Sequence, residues 1–582
     1  MQTYPPPTED YRFLLTDVLD FDGAMVELGK TDIDAELAVT VLEEGGRFCA
    51  ERLQPLNRIG DEEGSRLEAS GVRTPTGFAD AYREFVAGGW TSLSADPTYG
   101  GQGLPFIAQL WLDEMISATN LSFGLFPGLT RGATEAIAAH ASDALRATYL
   151  PPMISGAWSG AMALTESGAG TDLALLKAKA EPNGDGSYSV TGTKIFISSG
   201  DHDFGGNIVH LVLARLPDAP PGVKGISLFI VPKFRSDAEG NFTERNAMSV
   251  GALEKKMGIH AQPTCVMNYD GATGWLVGEP HRGLAAMFTM MNAARLMVGI
   301  QGLGVAGAAY QQAAAYARDR LQGRGADGAG PVAIIAHADV RRMLLNIRAF
   351  VEAGRALAGW TAIQLDRAHA HPDAAERAKS DAVVALLTPV IKAAFTDFGF
   401  ESAVQAQQVF GGHGYIREWG MEQYVRDARI AQIYEGTNGV QAIDLVGRKL
   451  ALGGGTVVEG FFDLVAAELD EAADMAGDLP VIARTRDALT LLRGVTASLR
   501  GASVDAAGAA AVDYLRLFAL VAMGWMWSRM AAAATKSETP FHKAKLSVAD
   551  FFALRMLPQA QGLAASVAAG EAPVMALQAE AF

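Results

Sequence analysis

The chain has 582 residues, which is too long for one ordinary domain and predicts three or four packed units. Its formal net charge is −17, and such an acidic surface repels a phosphate backbone, so nucleic-acid binding is not expected. Only two cysteines are present, Cys49 and Cys265, which excludes a disulfide framework and a multi-cysteine zinc site. We expect both thiols to be buried as small apolar groups, and we predict no metal site.

The sequence contains no predicted signal peptide or membrane span. Residues 1–10 are polar and rich in proline, and no apolar stretch follows them. The most apolar run, residues 517–527, is bounded by Arg516 and Arg529. It has about half of the ~20 residues that a spanning helix needs, so we interpret it as a buried helix. A soluble, cytoplasmic protein in a reducing environment is expected.

The first 160 residues have helical patterning interrupted by turns. Apolar residues at 33, 37, 41, 42 and 48 predict an amphipathic helix within residues 31–53. Glycine and proline then dominate residues 97–105, which predicts a turn before a helix that starts near Phe106.

The residue pattern changes over residues 161–277 and predicts a small β domain. Short β-branched and aromatic runs are separated by Gly, Pro, Asn and Asp, and they lie at 188–190, 194–197, 208–213, 226–231 and 264–269. No helical segment connects them, so a doubly wound parallel sheet is not expected.

Helical patterning returns at about residue 283 and continues to the C-terminus. The stretches 287–321, 332–367 and 374–410 are long enough for bundle helices, and three glycines at 453–455 predict a linker before a further helical unit. The predicted fold class is α+β and mainly α. We expect an N-terminal helical domain (1–160), a central small β domain (161–280), a C-terminal four-helix bundle (281–450) and an appended helical domain (451–582).

Three segments carry candidate chemistry. In residues 162–172, two glycines separated by one residue allow backbone amides to approach a phosphate or a flat ring, and Thr165 and Thr171 add hydroxyl donors, although a plain turn has the same pattern. Residues 408–415 form a glycine-rich end to a helix, which could bind a pyrophosphate or simply cap the helix. His413 in this segment is assigned no chemistry.

The third segment, residues 433–440, places Glu435 among apolar and aromatic neighbours before a glycine. A partly desolvated carboxylate has a raised pKa and is a better general base near neutral pH. An ordinary exposed glutamate at a turn is the alternative.

In this order and spacing, the patterns Thr-Glu-x-Gly-Ala-Gly-x-Asp, Phe-Gly-Gly-x-Gly and Tyr-Glu-Gly-Thr resemble the acyl-CoA dehydrogenase family. Residues 192–200, 256–259 and 426–428 resemble further motifs of that family, and the resemblance covers residues 75–450. The N-terminal pattern Tyr4-x-x-Pro-x-x-Asp-Tyr-x-Phe-x-Leu and the helical tail resemble an extended branch of it. That branch acts on thioesters such as 3-methylmercaptopropionyl-CoA and straight-chain fatty acyl-CoAs.

The resemblance implies the acyl-CoA dehydrogenase fold, an FAD cofactor and conversion of an acyl-CoA to a trans-2-enoyl-CoA. Glu435 would remove the α-proton while the β-hydrogen passes as hydride to flavin N5. The backbone N–H of Glu435 would help to bind the thioester oxygen. For 3-methylmercaptopropionyl-CoA the product would be methylthioacryloyl-CoA.

The resemblance also implies site residues by motif position. The cofactor set is Met162, Leu164, Thr165, Gly170, Thr171, Phe196, Ile197, Ser198, Arg320, Gln408, Gly411, Gly412, Thr437 and Asn438. The substrate set is Thr171, Asn292, Arg295, Tyr434 and Gly436. Thr165 and Ser198 are the expected hydrogen-bonding partners of the flavin. Gln408, Gly411, Gly412 and Arg320 are expected to reach FAD across a subunit boundary, which implies a homodimer or homotetramer.

Four positions depart from the family pattern. The spacing after Arg320 is one residue short and lacks a phenylalanine, so Arg324 could substitute for Arg320. Phe196 stands where tryptophan is usual, Ser167 where proline is usual, and Asn292 where aspartate is usual. The last change removes a charge from the expected CoA contact.

Alternative functions stay open at this point. An acyl-CoA oxidase would share the fold, base and flavin and would differ in letting dioxygen react. A flavin monooxygenase of the same fold usually lacks the glutamate. A DNA-associated flavoprotein of the family would need a basic C-terminal face, which Lys536, Lys543 and Lys545 are too few to provide. We expect an acyl-CoA substrate and electron-transfer flavoprotein as the electron acceptor.

Overall fold

The computed structural model describes residues 3–477 and 479–582. The chain divides into two compact units. Unit 1 comprises Met1–Arg47, Pro105–Ala118 and Val298–Phe582, and unit 2 comprises Phe48–Leu104 and Thr119–Met297. The four-domain division of the sequence stays a prediction.

Helices account for most of the regular structure. In chain order they are α1 Thr8–Phe13, α2 Phe21–Glu27, α3 Ala35–Phe48, α4 Gln54–Glu63, α5 Phe78–Ala87, α6 Phe106–His140, α7 Asp143–Ile154, α8 Gly283–Asp319, α9 Ala338–Ala370, α10 Ala374–Val409, α11 Met421–Arg429, α12 Asn438–Gly447, α13 Thr456–Ala476, α14 Pro480–Leu499, α15 Val504–Ala534, α16 Pro540–Phe551, α17 Gln559–Ala568 and α18 Ala572–Met575.

All strands belong to unit 2 in the part of the chain that the structure describes. They are β1 Arg66–Glu68, β2 Gly71–Arg73, β3 Trp158–Ala163, β4 Lys179–Pro182, β5 Tyr188–Ser198, β6 Asn207–Arg215, β7 Ile226–Pro232, β8 Phe234–Ser236, β9 Phe242–Arg245, β10 Met248–Leu253 and β11 Thr264–Val277. The main sheet has seven strands in the order β10-β11-β5-β4-β6-β3, and β7 pairs with both β11 and β6. The pairing closes into a ring of five strands, β4, β5, β11, β7 and β6. Among the strand pairs of this sheet in the described residues, β3–β6 and β4–β6 are parallel and the others are antiparallel.

The predicted fold class, α+β and mainly α with a central β unit, is confirmed. The predicted helix boundaries are close to those observed: α10 ends one residue earlier, and α6 begins at Phe106 as predicted.

Two predicted strands, 188–190 and 194–197, are wrong as separate elements because both lie in the continuous strand β5. Gly192, at φ 150°, keeps the backbone extended where the sequence suggests a break. Both cysteines are buried, as predicted.

Within unit 1, the second half of α8 crosses α10 at very short range. A methyl group added at Gly302 would overlap the carbonyl oxygen of Phe395, and one added at Gly399 would overlap the carbonyl oxygen of Gly302. Glycine at both positions lets the two backbones touch directly. This contact fixes α10, which carries part of the candidate site.

The N-terminal segment of unit 1 is attached to the C-terminal helices by a buried ionic cluster. Asp10 of α1 pairs with Lys545 of α16 and with Arg355 of α9, and Arg355 also pairs with Glu114 of α6. Burial alone raises the pKa of Asp10, but the charges of Lys545 and Arg355 outweigh that effect and hold its pKa below the ordinary value. The Phe13 and Phe541 rings meet edge to face at 5.4 Å beside the cluster. The two terminal extensions of the sequence are thus parts of one structure.

By length and apolar composition alone, four helical stretches in the described residues could cross a membrane: Gly283–Asp319, Ala374–Val409, Asn438–Ala476 and Val504–Ala534. Between 33% and 78% of the most apolar window of each is buried inside the protein. The run 517–527 lies in α15 and is buried, as predicted. Residues before Arg516 and after Arg529 extend this helix, so α15 has 31 residues and is long enough to cross a membrane, although the run 517–527 alone is not.

Candidate active site

In unit 2, the first glycine motif and strand β5 are joined side by side. Strand β3 leads directly into residues 162–172, and the backbone N–H of Ile195 donates to the carbonyl of Thr165 at 2.9 Å. The ammonium group of Lys194 donates to the carbonyl of Leu164, also at 2.9 Å. Residues 162–172 and strand β5, which were predicted separately to bind the flavin, therefore form one surface.

A buried ion pair holds this surface together. Lys194 is fully buried, and its Nζ lies 2.9 Å from Glu166 Oε1. Glu166 also accepts hydrogen bonds from the backbone N–H groups of Lys177 and Ala178. Burial lowers the pKa of Lys194 to about 8 even though Glu166 favours its charged form. For Glu166, burial raises the pKa, but Lys194 and the backbone donors lower it overall. Sequence analysis missed Lys194, although a lysine at an inward-facing position of a strand is a detectable signal.

We name residues 162–171 and 196–198 the Phe196 shelf. Phe196 is 59% exposed and has a left-handed backbone conformation, with φ 60°. Thr165 and Ser198 are half-buried, and Gly170 and Thr171 are exposed. Ile197 is 2% exposed, so its side chain faces the core and only its backbone is available. An exposed aromatic ring with hydroxyl groups nearby fits a flat heteroaromatic ligand such as a flavin.

The predicted substrate residues on α8 are partly buried. Arg295 is 8% exposed, and its guanidinium donates to Asn292 Oδ1 at 3.4 Å. Arg295 is therefore a buried side chain and not an exposed charge on the helix surface. One turn before, Met290 is fully buried and packs near Gly132 of α6.

In unit 1, the second glycine motif follows the end of α10. Gln408, Gly411 and Gly412 are exposed, and Gly411 has φ 56°. A Cβ atom at Gly411 or Gly412 would meet nothing within 4 Å, so the backbone is accessible at both positions. An accessible glycine-rich backbone allows close approach of a ligand such as a pyrophosphate. Next to them, the His413 ring stacks on Trp419 and shares a 2.9 Å hydrogen bond with the Tyr316 hydroxyl, which is a structural role.

Arg320 directly follows the last residue of α8, Asp319. Its side chain is exposed, as is that of Arg324. The Arg324 guanidinium donates to the carbonyl of Gly328 at 3.1 Å. Arg320 thus keeps its predicted accessibility, and its contact with FAD stays a prediction.

Glu435 lies in a tight turn between a 3-10 segment, Ile430–Gln432, and α12. It is half-buried, and its φ of 55° is left-handed, as is that of Gly436 at 86°. The Tyr434 hydroxyl donates to Gln301 Oε1. The pKa of Tyr434 is raised, first by burial and second by the negative charge of Glu435.

The side chains of Thr437 and Asn438, which follow Glu435, make hydrogen bonds within the protein. Thr437 caps α12, its hydroxyl accepting from the N–H of Val440 at 3.3 Å. Asn438 bonds through its side chain to α10, accepting from Lys392 and donating to Asp397. Sequence analysis missed Lys392, although it is a single charge within a long apolar stretch of helix. The role of Asn438 toward FAD stays a prediction.

Family models cover most of the chain. The acyl-CoA dehydrogenase N-terminal, middle and C-terminal domains match residues 36–157, 161–272 and 281–450, and an acetyl-CoA dehydrogenase C-terminal-like domain matches residues 461–578. A 3-methylmercaptopropionyl-CoA dehydrogenase of Ruegeria pomeroyi is 43% identical over 566 residues, covering 95% of this chain and 96% of that protein. The chain belongs to the acyl-CoA dehydrogenase family.

Two further proteins of the acyl-CoA dehydrogenase family are similar over the full length. A butyryl-CoA dehydrogenase of Syntrophomonas wolfei is 32% identical, covering 100% of this chain and 99% of that protein. The solved structure of Caenorhabditis elegans ACDH-11 in complex with C11-CoA has the same fold, with a TM-score of 0.79 and 20% identity, and covers 96% of this chain and 92% of that one.

This acyl-CoA dehydrogenase uses FAD to oxidise an acyl-CoA thioester. The exposed Phe196 ring and the accessible glycine backbone at residues 411 and 412 remain the predicted contacts of the flavin ring and the pyrophosphate. Among the described residues, no group of three or more His, Cys, Asp and Glu side chains is arranged to hold a metal ion.

Proposed function

We propose that the substrate is 3-methylmercaptopropionyl-CoA and that the product is methylthioacryloyl-CoA. The relative with this printed activity is 43% identical over nearly the whole chain, against 32% for the butyryl-CoA dehydrogenase. The second candidate is a straight-chain acyl-CoA, which the full-length similarity to the butyryl-CoA enzyme supports. Oxidation by dioxygen, as in an acyl-CoA oxidase, is the alternative fate of the reduced enzyme.

Glu435 is the proposed base that removes the α-proton. The observation that carries this proposal is its placement: a half-buried carboxylate in a turn whose backbone is held in the left-handed region. A carboxylate held in a fixed turn is a suitable group to accept the α-proton of a bound thioester. The Glu435 backbone N–H is the proposed donor to the thioester oxygen, where negative charge develops as the proton leaves. FAD, when bound, accepts the β-hydrogen as hydride.

The remaining predicted residues have binding roles in this proposal. The Phe196 shelf holds the flavin ring, with Thr165 and Ser198 as hydrogen-bond partners, while Gln408, Gly411, Gly412, Arg320, Thr437 and Asn438 hold the rest of FAD. Thr171, Asn292, Arg295, Tyr434 and Gly436 bind the acyl-CoA. The enzyme is proposed to be a soluble, cytoplasmic homodimer or homotetramer that passes electrons to an electron-transfer flavoprotein.

The test is anaerobic mixing of the FAD-loaded protein with a panel of acyl-CoAs while the flavin absorbance is recorded. 3-Methylmercaptopropionyl-CoA should bleach the flavin fastest, ahead of butyryl-CoA and long-chain thioesters. Glu435→Gln should slow bleaching by roughly 1,000-fold or more, because the variant keeps the shape of the side chain and loses the base. Equal bleaching by Glu435→Gln would remove Glu435 from the mechanism, and faster bleaching by butyryl-CoA would select the second substrate. Oxygen consumption in air separates a dehydrogenase from an oxidase.

A further inference from the structure

Lys392, in the middle of α10, is fully buried. Its ammonium group donates to the carbonyl oxygen of Gly436 at 2.7 Å and to Asn438 Oδ1 at 2.9 Å. A buried ammonium group is costly unless its hydrogen bonds are satisfied. Here the acceptors lie one residue and three residues after Glu435, so a buried positive charge is bound to the backbone beside the proposed base.

Two other residues of α10 complete this attachment. Asn438 Nδ2 donates to Thr396 Oγ1 at 2.9 Å and to Asp397 Oδ1 at 2.7 Å. Asp397 Oδ1 also accepts from Gln432 Nε2 at 2.6 Å. We name Lys392, Thr396 and Asp397 the α10 clamp, and residues 432–438 the Glu435 loop. Lys392 and Thr396 are one helical turn apart and Asp397 follows Thr396 directly, so one short stretch of α10 binds the Glu435 loop both before and after Glu435.

The backbone of the Glu435 loop needs such support. Glu435 and Gly436 are consecutive residues with positive φ, 55° and 86°. The left-handed region is unfavourable for an ordinary L-residue, and such conformations persist where surrounding contacts impose them. Gly436 is tied by its own carbonyl to Lys392. The carbonyl of Glu435 accepts a hydrogen bond of 3.4 Å from Gln441 Nε2.

We propose that Lys392 is a positioning residue for Glu435, fixing the carboxylate in the orientation from which it removes the α-proton. This inference rests on the proposed role of Glu435 as the base. Displacing a reacting group by about 1 Å can cost roughly 100-fold in rate, so loss of the clamp slows proton removal more than it weakens substrate binding.

The experiment compares Lys392→Met with Lys545→Met in the FAD-loaded full-length enzyme. Lys545 is the matched control, because it is also fully buried in unit 1 and bonds to acidic residues away from the Glu435 loop. Flavin bleaching is measured anaerobically over a range of concentrations of the best acyl-CoA in the panel, and the melting temperature is measured alongside.

Lys392→Met should lower the maximal bleaching rate by roughly 30-fold or more while the half-saturating substrate concentration changes by less than about threefold. Lys545→Met should lower the melting temperature and leave the bleaching rate of the folded enzyme within about twofold. If Lys392 only stabilised the fold, Lys392→Met would behave like Lys545→Met, with a lower melting temperature and a nearly unchanged bleaching rate. Wild-type bleaching by folded Lys392→Met would overturn the proposal.

Asp397→Asn keeps the proposal testable if Lys392→Met does not fold. Asp397 is half-buried, and it receives hydrogen bonds from both sides of the loop. Asn at this position should slow bleaching by about three- to tenfold, with the melting temperature little changed. An unchanged rate in this folded variant would also overturn the proposal. Glu435→Gln in the same assay separates the two ideas: if it is inactive while the clamp variants are normal, only the positioning role is lost.

Discussion

Lys194, Lys392 and Lys545 are fully buried, and each is bound by acceptors distant in sequence. Lys194 joins the two segments of the Phe196 shelf, and Lys392 holds the Glu435 loop. Burial of an ammonium group is unfavourable by itself, so each lysine requires its particular partners. At the scale of single residues, the candidate site thus depends on fully buried side chains that support its exposed residues.

Phe196 tests the flavin role of the shelf. Phe196→Ala removes the exposed ring, and an aromatic stacking contact is worth about 0.5–1.5 kcal/mol, so FAD affinity should fall about three- to tenfold. Fluorescence titration of the apoprotein with FAD measures the change. Phe196→Trp should restore tight binding. Val223→Ala, which trims another exposed apolar side chain of unit 2, should have no effect. Unchanged FAD affinity in Phe196→Ala would place the flavin elsewhere.

Asp366 gives a pH-dependent prediction. Both its carboxylate oxygens lie 3.0 Å from the N–H of Phe106, at the start of α6. Burial raises its pKa to about 7 from an ordinary 3.8, despite that hydrogen bond. The folded state therefore holds the proton more tightly than the unfolded state, and stability falls as pH rises from about 4 to about 7.

Asp366→Asn cannot ionise and should escape this loss of stability. Its free energy of unfolding should exceed that of the wild type by on the order of 2–4 kcal/mol at pH 8, and the difference should shrink toward zero near pH 4. Urea unfolding of both proteins at several pH values measures the gap. A pH-independent gap would show that Asp366 does not titrate in this window.

At the scale of elements, helices were located from the sequence better than strands. The helical stretches that became α8 and α10 are long and lack turn signals, so the sequence placed both helices to within a few residues. Strands β3, β4, β8, β9 and β10 were not predicted, because they are short and their stability comes from pairing with neighbours. No pattern in the sequence predicted which helices would contact one another.

The crossing of α8 and α10 yields a matched pair of glycine variants. Gly302→Ala would push a methyl group into the backbone of α10 and should destabilise the protein by about 1–3 kcal/mol. Gly307→Ala, on the same helix, meets only Val351 Cγ1 at 3.8 Å. It should be neutral or stabilising by up to about 1 kcal/mol, because alanine favours the helix. Chemical denaturation compares them, and equal effects would contradict the close crossing.

At the scale of the whole molecule, the N-terminal segment and the C-terminal helices are interdependent within unit 1. Asp10 and Lys545 are 535 residues apart in sequence and meet in a buried cluster with Arg355. Sequence analysis linked both extensions to one branch of the family. The structure supplies a physical reason for their joint presence, since the two charges help to neutralise each other in the buried cluster.

Asp10→Ala should therefore lower the free energy of unfolding by about 3–5 kcal/mol, because Lys545 and Arg355 each lose one of their two buried acidic partners. Arg12→Ala, in the same helix, breaks an exposed pair with Glu36 and should cost less than about 1 kcal/mol. Thermal unfolding measures the stability, and limited proteolysis reports whether the C-terminal helices become accessible. Similar small losses in both variants would show that the cluster contributes little.

The sequence by itself determined the family, the cofactor and the fold class, because short ordered motifs and long helical periodicity are local properties of the chain. The Tyr-Glu-Gly-Thr motif also identified Glu435 as the candidate base. Only the tertiary structure decided what surrounds these motifs. Lys392 reaches the Glu435 loop from 44 residues away, and Asp10 meets Lys545 from the opposite end of the chain. Such contacts follow from how helices and strands pack, which no local pattern of residues records.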